Sequence, residues 1–451
     1  MSTLSRQYVL VLAGAMVLMG GLSCPSVPLP PARNQASVPV PPARNTAFVY
    51  SKQERNPDPS VTQTETAQLV EGNTKFGCEL YQRLIEPEPN LVFSPYSISV
   101  ALAMAYAGAQ GQTKTQMADV FHFTLPDAQL HAAINKITLQ LAGPEESPEG
   151  FWTPYTLKTA NSLWMDKKYT INRDFLDTIG ANYGAGVGMA DLVGNPSGSA
   201  GIMNDWISEA TKGRITNMVD PQILKDLVLL IVNTIYFKAQ WQEQFDKTST
   251  QEEPFHLLSG TDVTVPMMKI THSFGYSEGE GWQAVSLPYK EWEISMTVIL
   301  PTSDKFTAFE SSLDDAVLKS ILDGMEMRTV ILSLPKFEFD TDLKLAETLK
   351  AMGMKNAFEE GFEPMLVNPP DSIFISDVLH RAFVAVDEEG TEAAAATVVP
   401  MAPGAAFPSG EEKPPVEFKA DHPFIFLIMD QSTKSVLFMG RVMDPTDMGG
   451  I

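Results

Sequence analysis

Cysteine is almost absent: Cys24 and Cys78 are the only two in 451 residues. A disulfide framework is thereby excluded as the source of stability, and a hydrophobic core must supply it. Histidine is scarce too. His122, His131, His256, His272, His380 and His422 form no close metal-binding pair, and there is no His-Glu-x-x-His. Positive charge is short, with 32 Lys and Arg against 55 Asp and Glu and a formal charge of −23. That balance argues against nucleic acid and against polyanions such as heparin as partners. Gly108-Ala109-Gln110-Gly111-Gln112-Thr113-Lys114-Thr115 has the wrong spacing for a phosphate loop and follows a helix pattern where a strand is needed. No enzyme constellation, metal or cofactor is expected.

The only long uncharged apolar run at the N-terminus is Tyr8 to Met19, too short to span a bilayer comfortably and preceded by Arg6. Gly20-Gly21-Leu22-Ser23-Cys24 resembles a bacterial lipoprotein cleavage box, although Gly21 stands where Leu is usual. The expectation is a signal peptide over 1–23 and a lipid on Cys24, with plain secretion or an uncleaved anchor as alternatives. The localisation would be extracellular or at the cell envelope. Residues 24–65 are rich in Pro and contain a direct repeat, Ser26 to Asn34 and Ser37 to Asn45. Such a stretch builds no core and reads as an extended tether.

From Thr66 the pattern is globular. Leu69, Val70, Phe76, Leu80, Leu84 and Ile85 recur at helical spacing, with Cys78 among them as a small buried hydrophobe. Ser94 to Gly108 reads as a helix with Pro95 in its first turn. Further helices are expected at Met203 to Thr211 and Leu343 to Met352. Strands are expected at Thr159 to Trp164, Leu227 to Phe237, Val263 to Met268, Ala284 to Leu287, Ile294 to Leu300, Thr329 to Leu334, Ala382 to Val386, Phe424 to Met429 and Ser435 to Gly440. Helices and strands in segregated runs suggest α+β architecture, and no linker divides 66–446.

One segment stands apart. The strand pattern ending at Val386 meets Asp387-Glu388-Glu389-Gly390 and then Thr391-Glu392-Ala393-Ala394-Ala395-Ala396-Thr397. Gly390 permits a hinge. Four successive Ala favour a helix. The same small residues also suit entry into a closed sheet, where Thr391, Ala393, Ala395, Thr397 and Val399 would share one face. From this segment alone, a short surface helix and a segment that changes state both stand.

The pattern Glu388, Gly390, Thr391 and Ala393 to Ala396 resembles the hinge of inhibitory serpins. Leu91 to Ser99, Asn204 to Ile215, Phe418 to Phe426 and Leu437 to Val442 with Pro445 resemble serpin segments in the same order. The resemblance implies the serpin fold: a large, mostly antiparallel central sheet, further sheets, surrounding helices and an exposed reactive-centre loop over about 388–415. It implies that Ser94, Ser97, Asn233 and His380 form the polar cluster where the sheet opens, and that Trp241 stands where insertion begins. Five satisfied core residues are the plainer reading of those positions. The implied function is irreversible suicide-substrate inhibition of a serine protease, held as a covalent complex after the cleaved loop enters the sheet. The protein would be a monomer and not an enzyme. A non-inhibitory serpin acting as a binding or chaperone module is the alternative.

Family spacing from the hinge places the reactive bond at Gly404-Ala405, with Ala406 and Phe407 as alternatives, whereas counting back from Pro423 points near Glu412. No Arg or Lys lies between Gly390 and Glu412, which points away from trypsin-like targets and toward elastase-, subtilisin- or chymotrypsin-like ones. Pro400 and Pro403 are awkward guests for a central strand because Pro donates no ladder hydrogen bond.

Overall fold

Helix α1 (Gln63–Leu84) starts where Thr62 and Glu65 form a capping box, each side chain accepting from the other's backbone N–H. In this computed structural model the described residues are 47–85, 90–142, 155–224, 227–370, 372–391 and 413–449. Before α1 stands a short strand, β1 (Phe48–Tyr50). After it come β2 (Leu91–Phe93) and α2 (Pro95–Tyr106). Ser94 caps α2 by accepting from Ser97 N–H, and Pro95 occupies the first turn, where a missing N–H costs nothing. Every residue of α2 is buried.

The chain continues through α3 (Gly111–Phe121), α4 (Asp127–Leu141), β3 (Tyr155–Asp166), α5 (Arg173–Tyr183), β4 (Gly186–Ala190), α6 (Pro196–Ala210) and β5 (Leu229–Gln240). Strands β6 (Gln251–His256), β7 (Asp262–Gly279), β8 (Trp282–Pro288) and β9 (Ile294–Pro301) follow. Next are α7 (Phe306–Ser312), α8 (Asp315–Asp323), β10 (Glu326–Pro335), β11 (Phe337–Lys344) and α9 (Ala346–Met352). The last strands are β12 (Ile375–Val386), β13 (Gly390–Thr391), β14 (Val416–Lys419), β15 (Phe424–Asp430) and β16 (Val436–Val442).

Two sheets result. The first runs β1-β4-β3-β5-β13-β12-β11, and the second runs β14-β10-β7-β8-β9-β15-β16-β2 with β6 beside β7. Both are mixed, and antiparallel pairs predominate, as the α+β reading expects. α2 packs against β3 and β5 of the first sheet and β16 of the second, so its all-round burial is that of a helix between layers. On the outer face of the first sheet, Met203, Trp206 and Ile207 of α6 join Leu230, Val232 and Leu379 in a second apolar cluster.

Three expectations need correction. Order begins before Thr66: β1 already pairs with β4, so the tether reading of 24–65 fails from Ala47 onward. Three residues, Phe-Val-Tyr, are too few to show a strand period in a Pro-rich setting. Leu343 and Lys344 are not helical. They close β11 against His380 and Leu379, and α9 starts at Ala346. Finally, residues 388–391 are not exposed loop: all four are buried, and Gly390 and Thr391 enter the sheet. The signal peptide, Cys24 and the Pro repeat lie outside the described residues. Among the described residues no helix is long and apolar enough to cross a membrane.

Candidate functional site

Strands β5 and β12 run parallel and pair from Leu229 and Ile375 up to Ile235 and Ala382, then part. Above that point β13 lies between them, with Thr391 opposite both Ala239 and Val386. The gap is therefore filled at its top by two residues, Gly390 and Thr391, and closed at its bottom by seven Cα pairs between β5 and β12.

The segment joining β12 to β13 is held from several sides. Asp387 Oδ1 accepts from Glu389 N–H at 2.8 Å and Gly390 N–H at 3.1 Å, closing a tight turn. Trp241 donates from its indole Nε1 to Asp387 O and from its backbone N–H to Glu389 O, each at 2.9 Å. Phe245 N–H donates to Glu388 O at 3.0 Å. Gly390 is required by close approach, since a Cβ there would lie 2.0 Å from Ala239 O.

The acids are paired rather than solvated. Glu388, only 5% exposed, accepts from Lys336 Nζ at 2.9 Å and Thr250 Oγ1 at 2.8 Å. Burial pushes its carboxyl up, but the Lys336 bond and those from backbone and Thr250 outweigh that and hold it below the usual range. Glu389 accepts from Lys247 Nζ at 2.5 Å. Asp387 moves the other way: burial raises it, against the two N–H bonds of the turn. Thr391 Oγ1 shares a 2.5 Å hydrogen bond with the buried Tyr289 hydroxyl, and Tyr289 stacks on Trp241 with centroids 4.4 Å apart.

Lower in the sheet the predicted polar cluster is assembled. Ser94 N–H donates to His380 Nε2 at 3.1 Å, so Nδ1 carries the ring proton and donates to Asn233 Oδ1 at 2.5 Å. Asn233 Nδ2 donates to Ser97 O at 3.0 Å, to Ser97 Oγ at 2.6 Å and to Asn161 Oδ1. Ser97 Oγ also donates to Asn161 Oδ1 at 3.3 Å. Burial lowers the His380 pKa to about 3, so the ring is neutral. The His380–Asn233 bond crosses from β12 to β5 at the fifth of the seven pairs, counted from Ile375 and Leu229.

Of the predicted site residues, the structure brings Ser94, Ser97, Asn233 and His380 into one cluster and Trp241, Glu388, Gly390 and Thr391 into another. Ala393, Ala394, Ala395 and Ala396, and the bond at Gly404 and Ala405 with its alternatives Ala406 and Phe407, lie outside the described residues. Sequence reasoning missed Asn161, Tyr289, Lys336, Lys247 and Thr250. Asn161 is the one amide of β3, but it stands among Thr156, Lys158, Thr159 and Ser162 and does not stand out there. The others come from distant strands and loops, and nothing local marks them. Among the described residues no group of His, Cys, Asp and Glu is placed to hold a metal.

A fold with one sheet open to a strand from its own loop defines a class, and the comparisons agree on it. A family model described as serpin (serine protease inhibitor) matches residues 71–445. A serpin-like protein of Thermococcus kodakarensis is 39% identical over 380 residues, covering 84% of this chain and 86% of that one. Bovine leukocyte elastase inhibitor is 33% identical over 390 residues, covering 84% and 100%. The structure of human thyroxine-binding globulin matches with a TM-score of 0.75 at 26% identity, covering 85% and 100%. The chain belongs to the serpin family, whose members are in general protease inhibitors rather than catalysts.

Proposed function

We propose that this serpin is an irreversible suicide-substrate inhibitor of serine proteases of elastase-, subtilisin- or chymotrypsin-like specificity. The observation that carries the reading is the register of β13. Each step down from Thr391, between Ala239 and Val386, moves one residue along all three strands. Glu392, Ala393 and Ala394 would fill the open part. Ala395 would reach the level of Ile235 and Ala382, and from there each residue must break a β5–β12 pair. Thr397 would arrive between Asn233 and His380. Odd-numbered residues would face the buried side, where Ala239, Phe237, Ile235, Val386, Val384 and Ala382 already point inward. Small residues suit that passage.

The chemistry is ordinary acyl transfer halted midway. The protease serine Oγ attacks the Gly404 carbonyl, the peptide bond to Ala405 breaks, and the Ala405 nitrogen leaves with a proton as a new amine. The Gly404 acyl ester remains on the enzyme. Fourteen residues from Thr391 to Gly404 span roughly 48 Å at ~3.4 Å each, so the inserting loop carries the bound enzyme that far before water can finish hydrolysis. The gain comes from pairing backbone groups on both sides of a new central strand. The native form is then a kinetic trap rather than an equilibrium minimum. Two features support the protease class: the loop has no Arg or Lys from Gly390 to Glu412, and one relative is named for inhibiting leukocyte elastase.

The reading extends to an exported monomer tethered by a lipid on Cys24, which intact mass of the mature N-terminus would test. The decisive experiment mixes the purified protein with a panel of such proteases and follows denaturing gels and intact masses. The expected result is a covalent complex and a released peptide beginning at Ala405. Cleavage without complex would overturn the inhibitor reading in favour of a binding module.

A further inference from the structure

Residues 47–62 run along the edge of the first sheet before α1, and the surface beneath them is shaped to receive them. β1 pairs with β4, Phe48 opposite Gly188 and Tyr50 opposite Gly186. The Phe48 ring lies edge-on to Trp164 of β3 at 4.9 Å and 5.6 Å from Trp206 of α6. Ser51 Oγ donates to Asp177 of α5, and Asn56 N–H donates to Ala181 O of α5 at 2.8 Å. The segment then crosses to α4. Arg55 Nε donates to Asn135 Oδ1, and Asn135 Nδ2 donates to Asn56 O, both at 2.8 Å. Lys136 Nζ donates to Val61 O at 3.1 Å, and Thr62 caps α1.

The opposing surface lacks side chains where this segment crosses it. A Cβ on Gly180 would lie 2.7 Å from Ser51 Cβ, and one on Gly186 would lie 2.5 Å from Val49 O. One on Gly188 would lie 2.4 Å from the Trp164 ring that Phe48 covers. Anchors on one side and vacant glycine positions on the other make this a fitted contact rather than an incidental one.

Its path spans two parts of the molecule with different fates in the reading above. β1, β4, β3 and β5, with α5 and α6 attached, lie on one side of the gap, and β12 and β11 lie on the other. A new strand needs ~4.8 Å between β5 and β12. The half bearing β1 must then shift relative to α1, α2 and α4 beneath. Residues 51–62 tie that half to α4 and α1, so they resist the shift. We propose that residues 47–62 form a strap that slows the parting of β5 from β12 and thereby keeps the loop out of the sheet until it is cut. The proposal rests on the reading that the sheet opens there.

The test uses the full chain and no protease. A fluorescent synthetic peptide with the sequence Ala393 to Gly404 is incubated with wild type, with Phe48→Ala/Arg55→Ala, and with Gly180→Ala. The last variant displaces Ser51 from the receptor side while leaving α5 a better helix. Peptide uptake is timed by native gel, and amide exchange is followed at Val232 to Ile235 and at Asn56. The expected result is at least tenfold faster uptake in both variants, with earlier exchange in β5. Uptake within twofold of wild type, while exchange at Asn56 shows the strap released, overturns the strap and leaves the opening sheet intact. No uptake by any form, even on warming, overturns the opening sheet and the strap with it.

Discussion

Thr397 offers the sharpest test of the register. Today His380 Nδ1–H and Asn233 Oδ1 satisfy each other at 2.5 Å. A strand inserted between them moves them to ~9.6 Å apart, two strand spacings, where no direct bond is possible. The register delivers residue 397 to that level, on the same buried face. Its hydroxyl would accept from His380 and donate to Asn233, replacing the lost bond. Thr397→Val keeps the shape and removes both functions. Each group left buried and unpaired costs about 1–3 kcal/mol, so the cleaved, inserted form should lose about 2–6 kcal/mol. The assay is denaturant unfolding of loop-cleaved protein for wild type, Thr397→Val and Thr397→Ser. The Val variant should unfold at clearly lower denaturant and Ser should match wild type, with the uncleaved proteins alike. If cleaved Val and wild type unfold together, or if cleaved and uncleaved forms are weakened equally, the assigned register is wrong.

Acid should weaken the native fold through its buried histidines. Burial lowers His380 to about 3 and His131 to about 4, so both are neutral when folded and bind protons more readily when unfolded. Their contribution is intact above about pH 6.5 and falls as pH drops toward those values, by about 2 kcal/mol each at pH 5; urea midpoints at pH 7.5 and 5.0 would show it. Lys336→Ala should strand the Glu388 carboxylate and loosen β13, at a cost of about 1–2 kcal/mol because the lysine is partly exposed, and faster amide exchange at Gly390 and Thr391 would report it. An unchanged exchange rate there would mean the backbone bonds to Trp241 and Phe245 alone hold the turn. Pro400→Ala should raise the fraction of protease trapped rather than released, because Pro400 would fall beside Leu230 and Asp377 without an N–H to give; equal fractions would mean the trap is complete before that rung.

Much of the fold was legible because it is written in local periodicity. The α1 stripe, the Ser94-Pro95 start of α2 and the apolar run that ends β12 each need only neighbours in sequence. The hinge was legible as composition: acids, a glycine, then small residues. Its state was not. Glu388 and Glu389 look like surface charges until Lys336, Thr250 and Lys247 are brought beside them from strands and loops far away in the chain. β1 was missed for the same reason. Three residues carry no period, and they become a strand because Trp164, Trp206 and the glycines of α5 and β4 provide a place for them.

The sequence by itself determined many of the helices and strands, that the segment after Gly390 is rich in small residues, and that Ser94, Ser97, Asn233 and His380 are polar residues in apolar company. Only the tertiary structure decided that the last four form one network with Asn161. It alone decided that β5 and β12 part above Ile235 and that Thr391 already stands between them. The physical reason is range. Periodicity and propensity act over a few residues, whereas a hydrogen bond from His380 to Asn233 depends on two strands finding one register across 147 positions of chain.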